Sequence, residues 1–281
     1  MSPRSPLRGL ALALGAALLG LTAAAPASAL SLSGLSVTLD AANSANQFVD
    51  TNPPPVSRVR ESALSVLSSS ATSFSTRYAL VVGTDIGVNP TITESHTASY
   101  TITFQVNANA GEAWSVLLDL SRVGALTLVN DSNGSASATL GAMTGSVSGG
   151  SLSGSLGLAA VGTLTRGNGG NQAFNQTGTA AINGVGTGAA QTVTLNFTWT
   201  ASTTSTKGPG ANGAGDEAAI RMGLDSALSQ FTADNYPGTG NRTLTSDGQF
   251  ISATLVPEPT SMLMMLAGLV GLALFGRRAA E

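Results

Sequence analysis

The sequence predicts a mostly β protein, an antiparallel β-sandwich or jelly-roll-like domain with one amphipathic helix. Three observations lead to this fold class. Apolar and polar residues alternate strictly around Tyr100 and again around Trp199, and such alternation puts the apolar side chains of a strand on one face. Clusters of Gly, Pro, Asn and Asp, the residues typical of turns, separate the alternating stretches. Convincing helical spacing occurs in one segment, residues 216–231.

The first half of the chain is predicted to consist of strands. Residues 30–51 alternate loosely and predict one early strand, which the run Asn52-Pro53-Pro54-Pro55 ends. Residues 56–88 fit a helix or strands, and we favour strands. The clearest strand runs from Thr97 to Ala108, where hydroxyl-bearing residues alternate with Tyr100, Ile102, Phe104 and Val106.

The next alternating stretch is expected to pair with that strand. Trp114, Val116, Leu118 and Leu120 repeat the same period after a break at Ala110-Gly111, which predicts a hairpin or meander. Residues 126–129 are expected to add a third strand, ended by a tight turn at Asn133-Gly134.

The second half begins with a glycine-rich middle, residues 141–188, which permits short strands with small side chains and a flexible loop near Gly170. A strong strand follows at residues 191–200, with Val193, Leu195, Phe197 and Trp199 facing inward. Residues 216–231 are predicted to form the helix, because Ile220, Leu224, Leu228 and Phe231 are spaced by four, four and three. Residues 250–256 predict a last strand.

The amino terminus is typical of a secretory signal peptide. Arg4 and Arg8 precede an apolar run from residue 9 to residue 21, and Ala27-Ser28-Ala29 forms an A-x-A cleavage site. We therefore expect residues 1–29 to be removed and the mature protein to begin at Leu30. An uncleaved anchor is the alternative. The chain has no cysteine, so an exported domain spanning residues 30–256 must be stabilised by burial and sheet pairing alone.

The carboxyl terminus, residues 257–281, has three parts in a fixed order: the triplet Pro257-Glu258-Pro259, an apolar run from Ser261 to Gly276, and the adjacent cations Arg277 and Arg278. The prolines hold the triplet extended. The apolar run would form a transmembrane helix of about 24 Å, marginal for a hydrocarbon core of about 30 Å. Arginines after such a run stay on the cytoplasmic side, so the main domain is expected on the periplasmic side.

This tail resembles the PEP-CTERM sorting signal of exported proteins of Gram-negative bacteria, with Pro257, Glu258 and Pro259 matching the defining triplet. The resemblance covers the last 26 residues or so. It implies processing by an exosortase-type membrane enzyme, a transient anchor in the inner membrane, and final delivery to the cell surface or extracellular matrix. Proteins of this kind are associated with exopolysaccharide and biofilm. A short membrane anchor with a chance triplet is the alternative.

Few residues of the chain suggest chemistry. His96 is the only histidine and Glu94 lies two residues before it, so they could be a base with an orienting carboxylate or an ordinary exposed imidazole near a strand edge. Glu94, Glu112 and Asp119 are the carboxylates that could pair for glycoside hydrolysis. Asp131, Asp216 and Glu217 could contribute to a calcium site, although turn chemistry and helix-end charge explain them better. Trp114 and Trp199 could form a sugar-stacking platform, but their alternation favours core packing.

Composition excludes other classes. The net charge is −3, charged residues make up 10% of the chain, and no basic patch indicates a nucleic-acid partner. We find no hydrolase, zinc-protease or nucleotide-binding motif. The sequence therefore predicts no catalytic residue, metal site or cofactor. The favoured function is a structural or adhesive matrix component. A secreted hydrolase of matrix polysaccharide or ester, and a carbohydrate-binding module, are the alternatives.

Overall fold

A computed structural model describes residues 30–39, 47–51, 56–86, 91–129, 134–165, 170–206, 217–224 and 245–257. Several predicted features lie outside these residues. They are the signal peptide with Ala27 and Ala29, the proline run at 52–55, Asp131, Asp216, and the tail with Glu258, Pro259, Arg277 and Arg278.

The described residues form antiparallel strands, which confirms the mostly β prediction. In chain order they are β1 (Ser31–Leu39), β2 (Gln47–Thr51), β3 (Val56–Ser69), β4 (Ser73–Ile86), β5 (Thr91–Asn107), β6 (Ala113–Val129), β7 (Ser135–Leu140), β8 (Thr144–Ser148), β9 (Ser151–Gly154), β10 (Gly162–Thr165), β11 (Asn171–Val185), β12 (Gln191–Thr206), β13 (Glu217–Met222) and β14 (Gly248–Pro257).

The strands belong to two sheets. Sheet A has the order β1-β5-β12-β7-β10, and β8 also pairs with β12. Sheet B has the order β2-β3-β4-β13-β6-β11-β9, and β14 pairs with both β4 and β6. Most neighbours are distant in sequence, such as β5 and β12, so pairing across the chain holds the sheets together.

The core lies between the sheets and is rich in aromatic rings. Phe74 of sheet B lies 5.1 Å from Phe104 of sheet A, measured between ring centroids. Tyr78 stacks on Tyr100 at 5.5 Å, and Trp199 meets Tyr78 edge-on at 4.8 Å. The inward residues predicted on β5, β6 and β12 are buried, as strict alternation requires. Rings in these geometries add specific attraction to the area that they bury.

The predicted hairpin between the Tyr100 and Trp114 strands is wrong. β5 belongs to sheet A and β6 to sheet B, and the residues between them carry the chain from one sheet to the other. Residues 126–129 are not a separate strand either, because β6 continues from Ala113 to Val129. Alternation defines which face of a strand is buried, but it does not identify the strand's partner.

The predicted helix is also wrong within the described residues. Residues 217–222 form β13, with Ala218, Ile220 and Met222 facing the core at a period of two. β13 and β14 occupy one position in sheet B, end to end between β4 and β6. Because β13 pairs with β4 on one side and with β6 on the other, the backbone groups on both of its edges are hydrogen-bonded, and this tertiary setting overrides a local helical pattern.

The described parts of the glycine-rich middle form strands β8 to β11. Glycine is required where backbone approaches a large ring. Gly184 of β11 pairs in register with Trp114, and a Cβ on Gly184 would overlap the indole.

The part of the chain that the structure describes contains no helix with the length and hydropathy needed to span a membrane.

Candidate functional site

The processing motif predicted from sequence begins where sheet B ends. β14 pairs with β6 from Gly248 opposite Val123 to Pro257 opposite Trp114, so the strand reaches the first residue of the triplet. Ile251 and Ala253 of β14 are buried in the core. The strand that leads to the motif is therefore an internal strand, paired on both sides from Gln249 to Thr254 and with β6 alone from there to Pro257, the last described residue of this segment.

A buried polar cluster lies between the sheets, and we call it the Tyr78–His96 cluster. It comprises Arg60 and Ser62 of β3, Tyr78 of β4, and Glu94 and His96 of β5. The Tyr78 hydroxyl lies 3.0 Å from Nε2 of His96, and it also hydrogen-bonds with Ser62. Arg60 Nη1 lies 3.6 Å from Glu94 Oε1. Polar groups from three strands thus contact one another inside the protein.

Burial controls the protonation of this cluster. Loss of solvent lowers the pKa of His96 from 6.5 to about 4, and the Arg60 cation acts in the same direction. Burial raises the pKa of Glu94, although Arg60 and Arg58 oppose that rise. Burial also raises the pKa of Tyr78 above its ordinary value. At neutral pH the cluster therefore holds a neutral imidazole and a neutral phenol.

The geometry does not match a base with an orienting carboxylate. Glu94 and His96 do share the inner face of β5, as the two-residue spacing predicts. However, His96 Nδ1 has no hydrogen-bond partner among the described residues, so Glu94 does not orient the ring. His96 is 1% exposed, which contradicts the alternative of an exposed imidazole. A substrate has no direct access to this ring in the described structure.

The three candidate carboxylates do not meet. Glu112 follows the end of β5 and accepts hydrogen bonds from the backbone N and Nδ2 of Asn109 at 2.9 and 3.0 Å. Glu94 lies near the start of β5, and thirteen residues of strand at about 3.3 Å each separate it from Asn107 by about 40 Å. Asp119 is exposed on the outer face of β6. Paired carboxylate chemistry needs a separation of about 5 to 10 Å, which these residues do not have.

The two tryptophans are core residues, as their alternation favoured. Trp199 is buried against Tyr78 and Tyr100. Trp114 is buried and donates a hydrogen bond from Nε1 to Gln191 Oε1 at 2.9 Å. Neither ring presents a face on which a sugar could stack.

A second polar network, centred on Arg122, was not identified from the sequence. Arg122 is fully buried on the inner face of β6, in register with Gln249 on one side and Gln176 on the other. Its guanidinium donates to Gln176 Oε1, to the Gly141 carbonyl at 3.1 Å and to the Ala159 carbonyl at 2.7 Å. Burial lowers the pKa of Arg122 to about 10. This fork ties the glycine-rich middle to sheet B.

The sequence contained a signal for these inward-facing cations. Arg60 and Arg122 occupy inward positions of alternating strands, where an apolar residue is the usual choice. No group of three His, Cys, Asp or Glu side chains among the described residues could hold a metal ion.

No family model, no curated protein and no solved structure matches the chain.

Proposed function

We propose that this chain is an exported cell-surface or extracellular-matrix protein, whose domain at residues 30–256 is delivered by a carboxyl-terminal sorting signal and then released from it. The domain is a β-sandwich or jelly-roll-like fold with a structural or adhesive role. The proposal combines the resemblance of the tail with the way in which the folded strands end.

The observation that carries the proposal is the end of β14. This strand is held between β4 and β6 from Gln249 to Thr254 and stays paired with β6 to Pro257, which is also the first residue of the triplet. A cut near the triplet would therefore leave β14 and the core intact. The folded domain is therefore followed directly by the sorting signal, with no spacer between them.

The interior supports a structural role for the domain. The residues with catalytic potential, Glu94 and His96, are buried in the Tyr78–His96 cluster, where they join sheet A to sheet B. The carboxylates that could pair for hydrolysis lie far apart. Buried polar groups that bond to each other stabilise one arrangement of a core over its competitors.

The partners follow from the sorting proposal. An exosortase-type enzyme reads Pro257, Glu258 and Pro259, the inner membrane holds the apolar run before processing, and Arg277 and Arg278 stay on the cytoplasmic side. The domain then lies on the periplasmic side until its release. No cofactor takes part.

The test is a variant in which Pro257, Glu258 and Pro259 are replaced by alanine in the native host. We expect the variant to accumulate in the inner-membrane fraction, whereas the parent protein reaches the surface or the medium. Replacing Pro53, Pro54 and Pro55 by alanine is the matched control and should not change the distribution. An unchanged distribution of the triplet variant, measured by immunoblot of the fractions, rejects the proposal.

A further inference from the structure

The outer face of sheet A is lined by hydroxyl and amide groups, and we call it the hydroxyl face. On β5 every second residue from Thr91 to Asn107 points outward, and each of these is Thr, Ser, Gln or Asn. On β12 every second residue from Thr192 to Thr206 points outward, and each is Thr, Ser or Asn. The outward residues of β7, β8 and β10 are Ser and Thr as well.

The hydroxyl face has no charged side chain among the described residues. The ionisable side chains of the strands in sheet A are Glu94 and His96, and both point into the core. The outer face of sheet B differs, since it carries Arg77, Asp119 and Arg221. A face without charge offers no attraction to a charged polymer and imposes no cost on a neutral one. The absence of charged side chains therefore favours a neutral partner for this face.

The chemistry of the face matches a polyhydroxylated partner. Each serine or threonine hydroxyl both donates and accepts hydrogen bonds, as each sugar hydroxyl does. No aromatic ring stands on the face, so a single sugar cannot gain affinity by stacking. Hydrogen bonds that replace bonds to water are individually weak, and useful affinity needs many of them along a polymer. β5 alone, with 17 residues, offers a row about 55 Å long.

Many of these groups are already held in position by one another. Hydroxyl oxygens lie 3.2 Å apart in the pair Thr91 and Thr206, and 3.1 Å apart in the pair Thr93 and Thr204. Thr101 donates to Asn196 Oδ1 at 2.8 Å. Side chains fixed before binding lose less conformational entropy when a partner arrives. The face thus presents a regular, ordered array.

We propose that the hydroxyl face binds a neutral polysaccharide along its length. This deepens the proposed function, because it names the partner of a matrix protein and the surface that holds it. The binding itself is a property of the folded domain, so it is measured on purified protein, with the sorting machinery absent from the assay.

The test is a pull-down of the exported protein, purified from its host, with insoluble cellulose, cross-linked dextran and galactomannan beads, and with alginate beads as an anionic polymer. The test variant replaces Thr91, Thr93 and Thr97 of β5 with valine, which keeps side-chain shape and strand preference. The matched control replaces Thr177, Thr179 and Thr254, on the outer face of sheet B, with valine. A second test variant, with Thr198, Thr200 and Thr204 of β12 replaced by valine, serves if the first does not fold.

We expect binding to at least one neutral polymer, weakened about tenfold or more in the test variant and less than about twofold in the control. Raising salt from about 50 to about 500 mM should not weaken binding, because no ion pairs form. Cellotetraose should compete poorly with the polymer. Binding to alginate alone, binding unchanged by the β5 and β12 variants, or no binding to any neutral polymer overturns the proposal. A separate assay of ice growth covers one further ligand. If the protein slows ice growth and binds no polymer, the proposal is rejected and the hydroxyl face is an ice-binding surface.

The outcome is separable from that of the sorting experiment. Normal processing with no polysaccharide binding would reject this inference and leave the proposed delivery intact. If the purified domain binds a polysaccharide but replacing the triplet does not change the distribution of the protein, the proposed delivery is rejected and this inference stands.

Discussion

Tyr78 and His96 join the two sheets through a hydrogen bond inside the core, with 3.0 Å between the tyrosine hydroxyl and Nε2 of the imidazole. Tyr78 belongs to β4 of sheet B and His96 to β5 of sheet A, and both are 1% exposed. The pair therefore reports on the closed arrangement of the two sheets. Its protonation links that arrangement to pH.

Acidification should destabilise the domain through His96. The folded state keeps the ring neutral down to about pH 4, whereas the unfolded chain binds a proton near pH 6.5. Below pH 6.5 the unfolded state binds more protons, so the free energy of unfolding falls with pH until both states are protonated. Between about pH 7.5 and about pH 5 we expect a loss of about 2 kcal/mol from this residue, measured by urea unfolding.

The controls for this pH dependence are two substitutions in the same cluster. His96→Gln can still bond to Tyr78 but does not titrate, so it should lose less stability on acidification. Glu94 acts in the opposite direction, because its raised pKa favours proton uptake by the folded state as pH falls. Glu94→Gln should therefore make the acid loss steeper. Equal slopes for the parent and His96→Gln would show that His96 is not held neutral.

Removing the Arg122 fork should loosen the attachment of the glycine-rich middle. Arg122→Met leaves the Gly141 and Ala159 carbonyls and the Gln176 amide without their donor, and we expect a loss of roughly 3 kcal/mol in the free energy of unfolding. Arg122→Lys should lose most of the same amount, because an ammonium cannot reach three acceptors in that geometry. Asp119→Asn, at an exposed position of the same strand, is the control and should change stability by less than about 0.5 kcal/mol. If Arg122→Lys is as stable as the parent, the hydrogen bonds of the Arg122 guanidinium do not stabilise the domain as proposed.

Glycine at position 184 should be required by Trp114. Gly184→Ala places a methyl group in the volume of a fully buried indole, and we expect a loss of roughly 2 kcal/mol together with a shift in tryptophan fluorescence. Gly178→Ala on the same strand is the control. Its added Cβ would lie 3.2 Å from the end of the Leu158 side chain, which can move aside. Comparable losses in the two variants, measured by thermal unfolding, would contradict the packing of β11 on Trp114.

Local sequence predicts strands well in this chain but does not predict their partners. The alternation around Tyr100, Trp114 and Trp199 identified the inward residues, because a period of two follows from strand geometry alone. The partners of β5 lie in β1 and β12, and no local pattern records such distant pairing. Ile220 fits a helical spacing, but it also fits strand alternation with Ala218 and Met222. The segment forms a strand because it pairs with both β4 and β6.

The candidate site was predicted only in part. The shared face of Glu94 and His96 followed from their spacing, but their partners could not be predicted, because Tyr78 and Arg60 come from sheet B. Arg122 could be suspected as an inward cation, while its acceptors in the glycine-rich middle could not, because they are backbone carbonyls of distant residues. The hydroxyl face is visible in the alternating threonines, but its extent requires the strand order of sheet A.

The most direct test of the account is the intact mass of the protein recovered from its native host, with and without the processing enzyme. We predict a product that begins at Leu30 and ends near the Pro257-Glu258-Pro259 triplet in the parent strain, and retention of the tail when the enzyme is absent. Recovery of a chain that still carries Glu281 from the parent strain would contradict the account.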